Sequence, residues 1–172
     1  MSRQLIAAVD RSWSKGVAVY CLVASDIRGQ RELANLRSKF TSIKHVDKFK
    51  RSIYFSARIK VINKLVDQNN LIKLVVSTHY HTIERTIKKI EDQIKILVVD
   101  DYIYNPISKL IEAEEVKVVP EGKIKYLKVS GISKKALETL ILIADNIANY
   151  VRLQLISGRK LSEILTKLPL KT

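Results

Sequence analysis

The sequence predicts an α/β fold: a mixed sheet that starts as an antiparallel hairpin and continues with parallel strands, with helices on both faces. Three observations lead there. Two uninterrupted apolar runs, Leu5-Ile6-Ala7-Ala8-Val9 and Ile96-Leu97-Val98-Val99, have the character of strands buried on both sides. The first run is joined to a second, over 17–24, by a short polar connection ending in Gly16, which suits a hairpin. From about residue 46 the apolar spacing lengthens to that of a helix, and strands and helices then alternate.

Taken in order, residues 4–10 are the first strand and 17–24 the second. Within 25–44, Asp26-Ile27-Arg28-Gly29 makes a turn. Either a third, edge strand or a short helix carrying Leu33, Leu36 and Phe40 follows. Phe49, Ile53, Ile59, Ile62, Leu65 and Val66 recur at helical spacing to about residue 68, where Asn69-Asn70 stops the helix. Residues 71–77 are another buried strand. Thr82 is a suitable N-cap for a helix carrying Ile83, Ile87, Ile90 and Ile94, and the next strand ends on Asp100-Asp101. Strand, helix and strand with short connections make a parallel βαβ unit, which puts 71–77 beside the first strand. After Pro106 come a short helix over 107–114, a short strand over 116–119 and a turn at Pro120-Glu121-Gly122. Residues 124–129 alternate like an edge strand. Ser133 caps a long helix to about residue 156, Ser157-Gly158 ends it, and a last helix spans 161–168. The division expected is one domain over 1–158 and a C-terminal helical extension over 159–172.

With 172 residues, 47% hydrophobic and 28% charged, the composition is that of a globular chain. No apolar run approaches the ~20 residues of a membrane span. Met1-Ser2-Arg3-Gln4 leads directly into the first strand, so no secretory signal is expected. The single Cys21 suits a reducing compartment and a buried apolar role, and the expected location is cytoplasmic. Lys and Arg number 31 against 17 Asp and Glu, a net charge of +14. That excess points to a polyanion, nucleic acid in the first place, although a lysine-rich thermophilic composition would also produce it. Lys44, Lys48, Lys50 and Arg51 lie on the first long helix and its approach, and Lys123, Lys125 and Lys128 on the expected edge strand. Of these, Lys44, Lys48, Lys50, Arg51 and Lys125 are the candidate DNA or RNA contacts. Oligomeric state is left open, a homodimer included. The sequence has no Gly-rich phosphate loop, Cys-based zinc motif or nucleophile elbow, which removes those classes of function.

The acids carry the sharper signal. Asp10 ends the first strand, Asp100 and Asp101 end a later one, and Asp145 lies on the margin of the long helix's apolar stripe of Leu137, Leu140, Ile141, Ala144, Ala148 and Val151. Asn149 follows one turn later on the same side. Singly, an Asp at a strand end is often a turn former. Gathered in one cleft, carboxylates repel unless a cation compensates, so such a cluster is a site signal. Phosphodiester cleavage needs an activated water and neutralised phosphate charge, which two divalent ions about 3.5–4 Å apart supply. The expectation is a two-metal Mg²⁺ or Mn²⁺ centre with Asp10, Asp100 and Asp145 as catalytic ligands and Asp101 as a further ligand. His45 and His79 are auxiliary candidates, for phosphate contact or proton transfer, and Asn149 a third. In an extended His79-Tyr80-His81 the two imidazoles would share a face and suit a transition metal, while exposed loop histidines are the plainer reading. Asp47 fits as the N-cap of the first long helix.

This order of elements resembles the ribonuclease H-like (retroviral integrase) superfamily of nucleases, Holliday-junction resolvases and integrases. Within it, Ile143-Ala144-Asp145-Asn146-Ile147-Ala148-Asn149 is similar to the Gln-Leu-Ala-Asp-Leu-Ile-Ala-Gly helix of a little-characterised family that opens on an Asp-Glu-Ser-Gly strand end. Ala7-Ala8-Val9-Asp10-Arg11-Ser12 matches that opening, and Val98-Val99-Asp100-Asp101 the family's later strand. Lys44-His45-Val46-Asp47 stands where the family tends to carry a His or acid before its first long helix. The chain departs from the pattern with Arg11 in place of Glu, Trp13 near the Gly and Leu142 in place of Gln. The resemblance implies a metal-dependent nuclease whose central first strand brings its carboxylate to one from a neighbouring strand and one from the last helix. Arg11 keeps a second class in view: a non-catalytic nucleic-acid-binding or assembly protein on the same scaffold.

Overall fold

A computed structural model describes residues 3–168. The strands are β1 (Leu5–Ser14), β2 (Val17–Asp26), β3 (Lys73–Ser77), β4 (Ile94–Val99) and β5 (Lys117–Pro120), in one mixed sheet of order β3-β2-β1-β4-β5. β1 and β2 form an antiparallel hairpin. Its turn residues, Lys15 and Gly16, both have positive φ (50° and 75°), the two-residue geometry whose twist suits hairpin strands. β3 pairs antiparallel with β2, while β4 pairs parallel with β1 and β5 parallel with β4. The C-terminal ends of β1, β4 and β5 therefore meet at one edge of the sheet.

The helices are α1 (Gln30–Asn35), α2 (Arg51–Asp67), α3 (Tyr80–Ile90), α4 (Tyr104–Leu110), α5 (Lys134–Ile156) and α6 (Leu161–Leu165). Strand alternation divides the core into two layers. Ile6 and Ala8 of β1, Cys21 and Val23 of β2 and Val98 of β4 face α5, where Leu140, Ala144, Ile147 and Ala148 meet them. Leu5, Ala7 and Val9 face the other way, onto Ile83 and Ile87 of α3 and Ile107 of α4. Each fully buried Leu or Ile in these layers is worth about 1.5–3 kcal/mol. The Ser133 hydroxyl caps α5 by accepting from the Ala136 N–H at 3.2 Å, and Gly158, with φ of 93°, follows its end. Thr139 of α5 donates to the Leu33 carbonyl at 2.8 Å and ties α1 to the long helix.

Several expectations are corrected. Over 25–44 the chain forms α1 and single 3-10 turns at Arg37–Lys39 and Ile43–His45, with Leu33 and Phe40 buried, so the edge-strand alternative falls. β3 runs in the direction of β1 but is not beside it, because β2 lies between them. Apolar periodicity identifies a strand without naming its neighbour. Residues 124–129 are not an edge strand. A 3-10 segment spans Glu121–Tyr126, and the buried Ile124 and Leu127 are three apart, the period of that helix. Lys123, Lys125 and Lys128 therefore do not lie on an edge strand. The first long helix starts at Arg51, and the Asp47 carboxylate caps a preceding 3-10 turn, Lys48–Lys50. Phe49 and Ile53 are 96% and 76% exposed, off the buried stripe of Phe55, Ile62, Leu65 and Val66. α3 starts at Tyr80 with His79 as N-cap, not at Thr82, and Ile94 belongs to β4. α4 starts before Pro106, which sits in its first turn where no N–H is needed. Ile164 and Leu168, from the expected extension at 159–172, pack into the α5 core, and residues 169–172 lie outside the described residues.

Candidate metal centre

Strand phase builds the site. Ile6 and Ala8 point at α5, and so does Asp10, two residues further along β1. Val98 has the same phase on β4, and Asp100 is two residues beyond it. Val119 has it on β5, and Glu121 is two beyond. The pairing of β1 with β4 carries on past the strand, with the Asp100 N–H donating to the Val9 carbonyl at 2.9 Å. As a result one carboxylate oxygen from each of Asp10, Asp100 and Glu121 lies within 4.8 Å of the others. Asp145 joins them from α5, with its carboxyl in hydrogen-bond reach of Asp10.

Each acid is held differently. Asp10 is 5% exposed, and its Oδ1 accepts from the Arg11 N–H at 2.7 Å. Asp145 Oδ2 accepts from the Ile43 N–H at 3.1 Å and from Asn146 Nδ2 at 3.3 Å, so the Ile43–His45 3-10 turn secures it. Its Oδ1 accepts from Asn149 Nδ2 at 3.2 Å. Asn149 Oδ1 in turn accepts from the Ser12 hydroxyl at 2.9 Å and from Arg152 Nη2 at 3.2 Å. Asp100 Oδ2 is shielded from water with no hydrogen-bond partner.

Four carboxyls this close disfavour one another's charge. Burial, then the charges of Asp145, Asp100 and Glu121, push the Asp10 carboxyl well above its usual range. Burial and Asp100 lead in pushing Glu121 up to about 7. Asp100 is raised mainly by burial, against the Tyr102 N–H and the Arg11 guanidinium, which favour its ionised form. Burial also raises Asp145, against its hydrogen bonds from Ile43, Asp10 and Asn146. Asp10 and Asp145 thus titrate as a pair, the charge of one opposing ionisation of the other. An open cleft of about 530 Å³ gives access to Asp100 and Glu121, with Lys44, Lys125 and Arg37 on its walls. The donor set is all carboxylate oxygen, which suits a hard divalent ion such as Mg²⁺ or Mn²⁺, and the unpartnered Asp100 oxygen is a lone pair such an ion would use.

Of the residues singled out from sequence, Asp10, Asp100, Asp145 and Asn149 come together. Asp101 lines the same cleft but is outside the close carboxylate group: it is exposed, and its Oδ1 accepts from the Gly122 N–H at 3.1 Å, fastening the loop that carries Glu121. His45 is exposed at the end of its 3-10 turn, and Ile43 and Lys44 are the residues of that turn that reach the site. His79 is exposed beyond β3, with β2 between that strand and β1, and the exposed His81 is on α3, paired with Glu84 at 2.8 Å. The extended two-histidine face therefore does not form. Lys44 and Lys125 line the cleft, while Lys48 and Lys50 are exposed on the turn before α2. Arg51 opens α2, donating from Nε to the Val46 carbonyl at 3.2 Å. Glu121 was not singled out. The available signal was an acid two residues past Val119, matching Asp10 after Ala8 and Asp100 after Val98. Among the described residues no helix is long and apolar enough to cross a membrane. Compared with family models, curated proteins and solved structures, the chain matches none.

Proposed function

We propose that this chain is a metal-dependent nuclease on a ribonuclease H-like sheet, hydrolysing phosphodiester bonds of DNA or RNA at the carboxylate centre. One observation carries the reading: Asp10, Asp100, Glu121 and Asp145, from separate elements, converge behind a cleft that opens on Asp100 and Glu121, in a chain with net charge +14. Asp10, Asp100 and Glu121 would hold Mg²⁺ or Mn²⁺, with Asp145 completing the set. A bound ion there would acidify a water and neutralise charge on the scissile phosphate. Lys44 and Lys125, on the cleft wall, would receive the nucleic-acid backbone. The central position of β1, with an antiparallel partner on one side and the parallel β4 on the other, supports the ribonuclease H-like part of the reading.

The test is cleavage of labelled single- and double-stranded DNA and RNA with Mg²⁺ or Mn²⁺, comparing the wild type with Asp10→Asn. Cleavage by the wild type, reduced at least about a hundredfold in the variant, is expected. Equal activity in the two proteins would sink the mechanism. A second reading, a binder without catalysis, is favoured by Arg11, whose guanidinium acts on Asp100 and lies 5.5 Å from the Tyr102 ring centre. It expects nucleic-acid binding with no cleavage by either protein.

A further inference from the structure

Seven residues after Asp145, α5 carries Arg152, which is built into the centre's own hydrogen-bond network. Its Nε donates to the Ser12 hydroxyl and its Nη2 to Asn149 Oδ1 at 3.2 Å. Ser12 is two residues beyond Asp10 on the same face of β1, and Asn149 is the residue that holds Asp145. Arg152 is half-buried, and burial and the charge of Arg51 both disfavour its ionised form. Arg51 is half-buried too, with one bond to the Val46 carbonyl. Among the described residues neither guanidinium has a carboxylate within ion-pair distance. Two half-buried cations that feel each other's charge, without an acid, are costly unless an anion joins them. Each guanidinium also keeps N–H donors that these bonds do not use.

The geometry points to a second phosphate seat, formed by Arg152 and Arg51, for a phosphate neighbouring the scissile one on the same nucleic-acid strand. This rests on the phosphodiester reading of the carboxylate centre and extends it to substrate class. At about 3.3 Å per residue, Ser12 is about 7 Å along β1 from Asp10. At 1.5 Å per residue, Arg152 is about 10 Å along α5 from Asp145. A small phosphate ester fills one seat at a time, whereas a polynucleotide fills both. The substrate is then a strand running along α5 towards its C-terminal end.

The test is fluorescence anisotropy of a labelled single-stranded oligonucleotide in EDTA, where binding is read without cleavage, across a range of salt. The logarithmic salt slope is expected to fall by about 0.7 in Arg152→Gln and in Arg51→Gln, the share of one single-strand phosphate. Affinity at low salt falls about tenfold in each, as expected for a hydrogen bond to a charged group. The double variant loses no more slope than about 0.7, because both residues serve one phosphate. Arg152→Lys keeps the slope because it keeps the charge. Lys89→Gln, exposed on α3 on the opposite face of the sheet, changes neither quantity. If Arg152 merely braces Ser12 and Asn149, Arg51→Gln binds like the wild type, and that overturns the proposal. So does an equal loss from Lys89→Gln. Should Arg152→Gln fail to fold, Arg51→Gln decides alone, since Arg51 is outside the Asn149 network. A lowered slope in a protein that cleaves nothing with Mg²⁺ or Mn²⁺ removes the hydrolysis reading and leaves the seat. An unchanged slope in a protein that cleaves does the reverse.

Discussion

Glu121→Gln is expected to stabilise the metal-free protein at pH 8, although it alters a residue in the middle of the cleft. The Glu121 carboxyl is raised from its ordinary 4.5 to about 7, by burial first and then by the charges of Asp100, Asp145 and Asp101. The sign follows from linkage. The folded state holds a proton that the unfolded state releases between those two values, so this stability is present below about pH 4.5 and is lost as pH rises through about 7. At 1.36 kcal/mol per pH unit the gap is worth roughly 3 kcal/mol. Glu121 is more than a third open to water, and screening lowers the figure to about 1–2 kcal/mol. Glutamine keeps the shape without the charge. It should raise the melting temperature by about 2–8 °C at pH 8, using about 2–4 °C per kcal/mol for a domain of this size, and by almost nothing at pH 5. The assay is thermal unfolding followed by circular dichroism in EDTA at both pH values. Added Mn²⁺ reverses the order, because the ion binds the native, deprotonated acids and favours the protein that has all of them. A variant melting at or below the wild type at pH 8 in EDTA would show that Glu121 is not repelled by its neighbours, and the electrostatic account of the cleft would fail.

Mn²⁺ affinity should climb between pH 6 and pH 8, because the raised carboxyls of Asp10, Asp145 and Glu121 must shed protons to bind an ion. Titration calorimetry in buffers of different ionisation enthalpy would read that release, and pH-independent binding would contradict it. Asn149→Ala removes the amide that holds Asp145 and accepts from Ser12. The expected cost is about 1–3 kcal/mol in denaturant unfolding and about 10–100-fold in Mn²⁺ affinity, and an unchanged affinity counts against Asp145 as part of the centre. Arg11→Ala removes a cation that acts on Asp100, so Mn²⁺ should bind several-fold tighter at pH 8. Weaker binding by this variant would mean that Arg11 supports the centre. Leu140→Ala, in the fully buried stripe of α5, should cost about 2–5 kcal/mol of stability, read by urea unfolding.

The meeting of Asp10, Asp100 and Asp145 was legible in sequence because each acid sits at a point where local pattern fixes direction: the end of a buried strand or the margin of an apolar stripe. Glu121 has the same phase on β5, but that strand is only 4 residues long and Pro120-Glu121-Gly122 has the chemistry of a turn. The chain does turn there, into the 3-10 segment of which Glu121 is the first residue. Sheet order was less legible than the strands themselves. The run over 71–77 is apolar on either neighbour's flank, and only long-range pairing settles that it meets β2. His79 was misplaced for the same reason, since its nearness to Asp10 depended on that order. In the 124–129 segment, alternation and a spacing of three share Ile124, and the buried Leu127 decides between them. Phe49 and Ile53 fit a helical stripe by spacing, but the helix turns that side to solvent.

The strand ends bearing Asp10, Asp100 and Glu121 are neighbours in a continuous parallel ladder, β1 to β4 to β5. Three like charges on mobile loops would drift apart and relax. Here, parting Asp10 from Asp100 means unzipping backbone pairing in the middle of the sheet, and parting Glu121 from them means peeling away the edge strand β5, so the repulsion persists for as long as the protein is folded. An arriving cation finds its ligands already gathered and spends little of its binding energy on ordering them. Amide exchange along β1 and β4 should accordingly proceed only through global opening, and an ion in the cleft should slow it by making that opening rarer rather than by stiffening the strands.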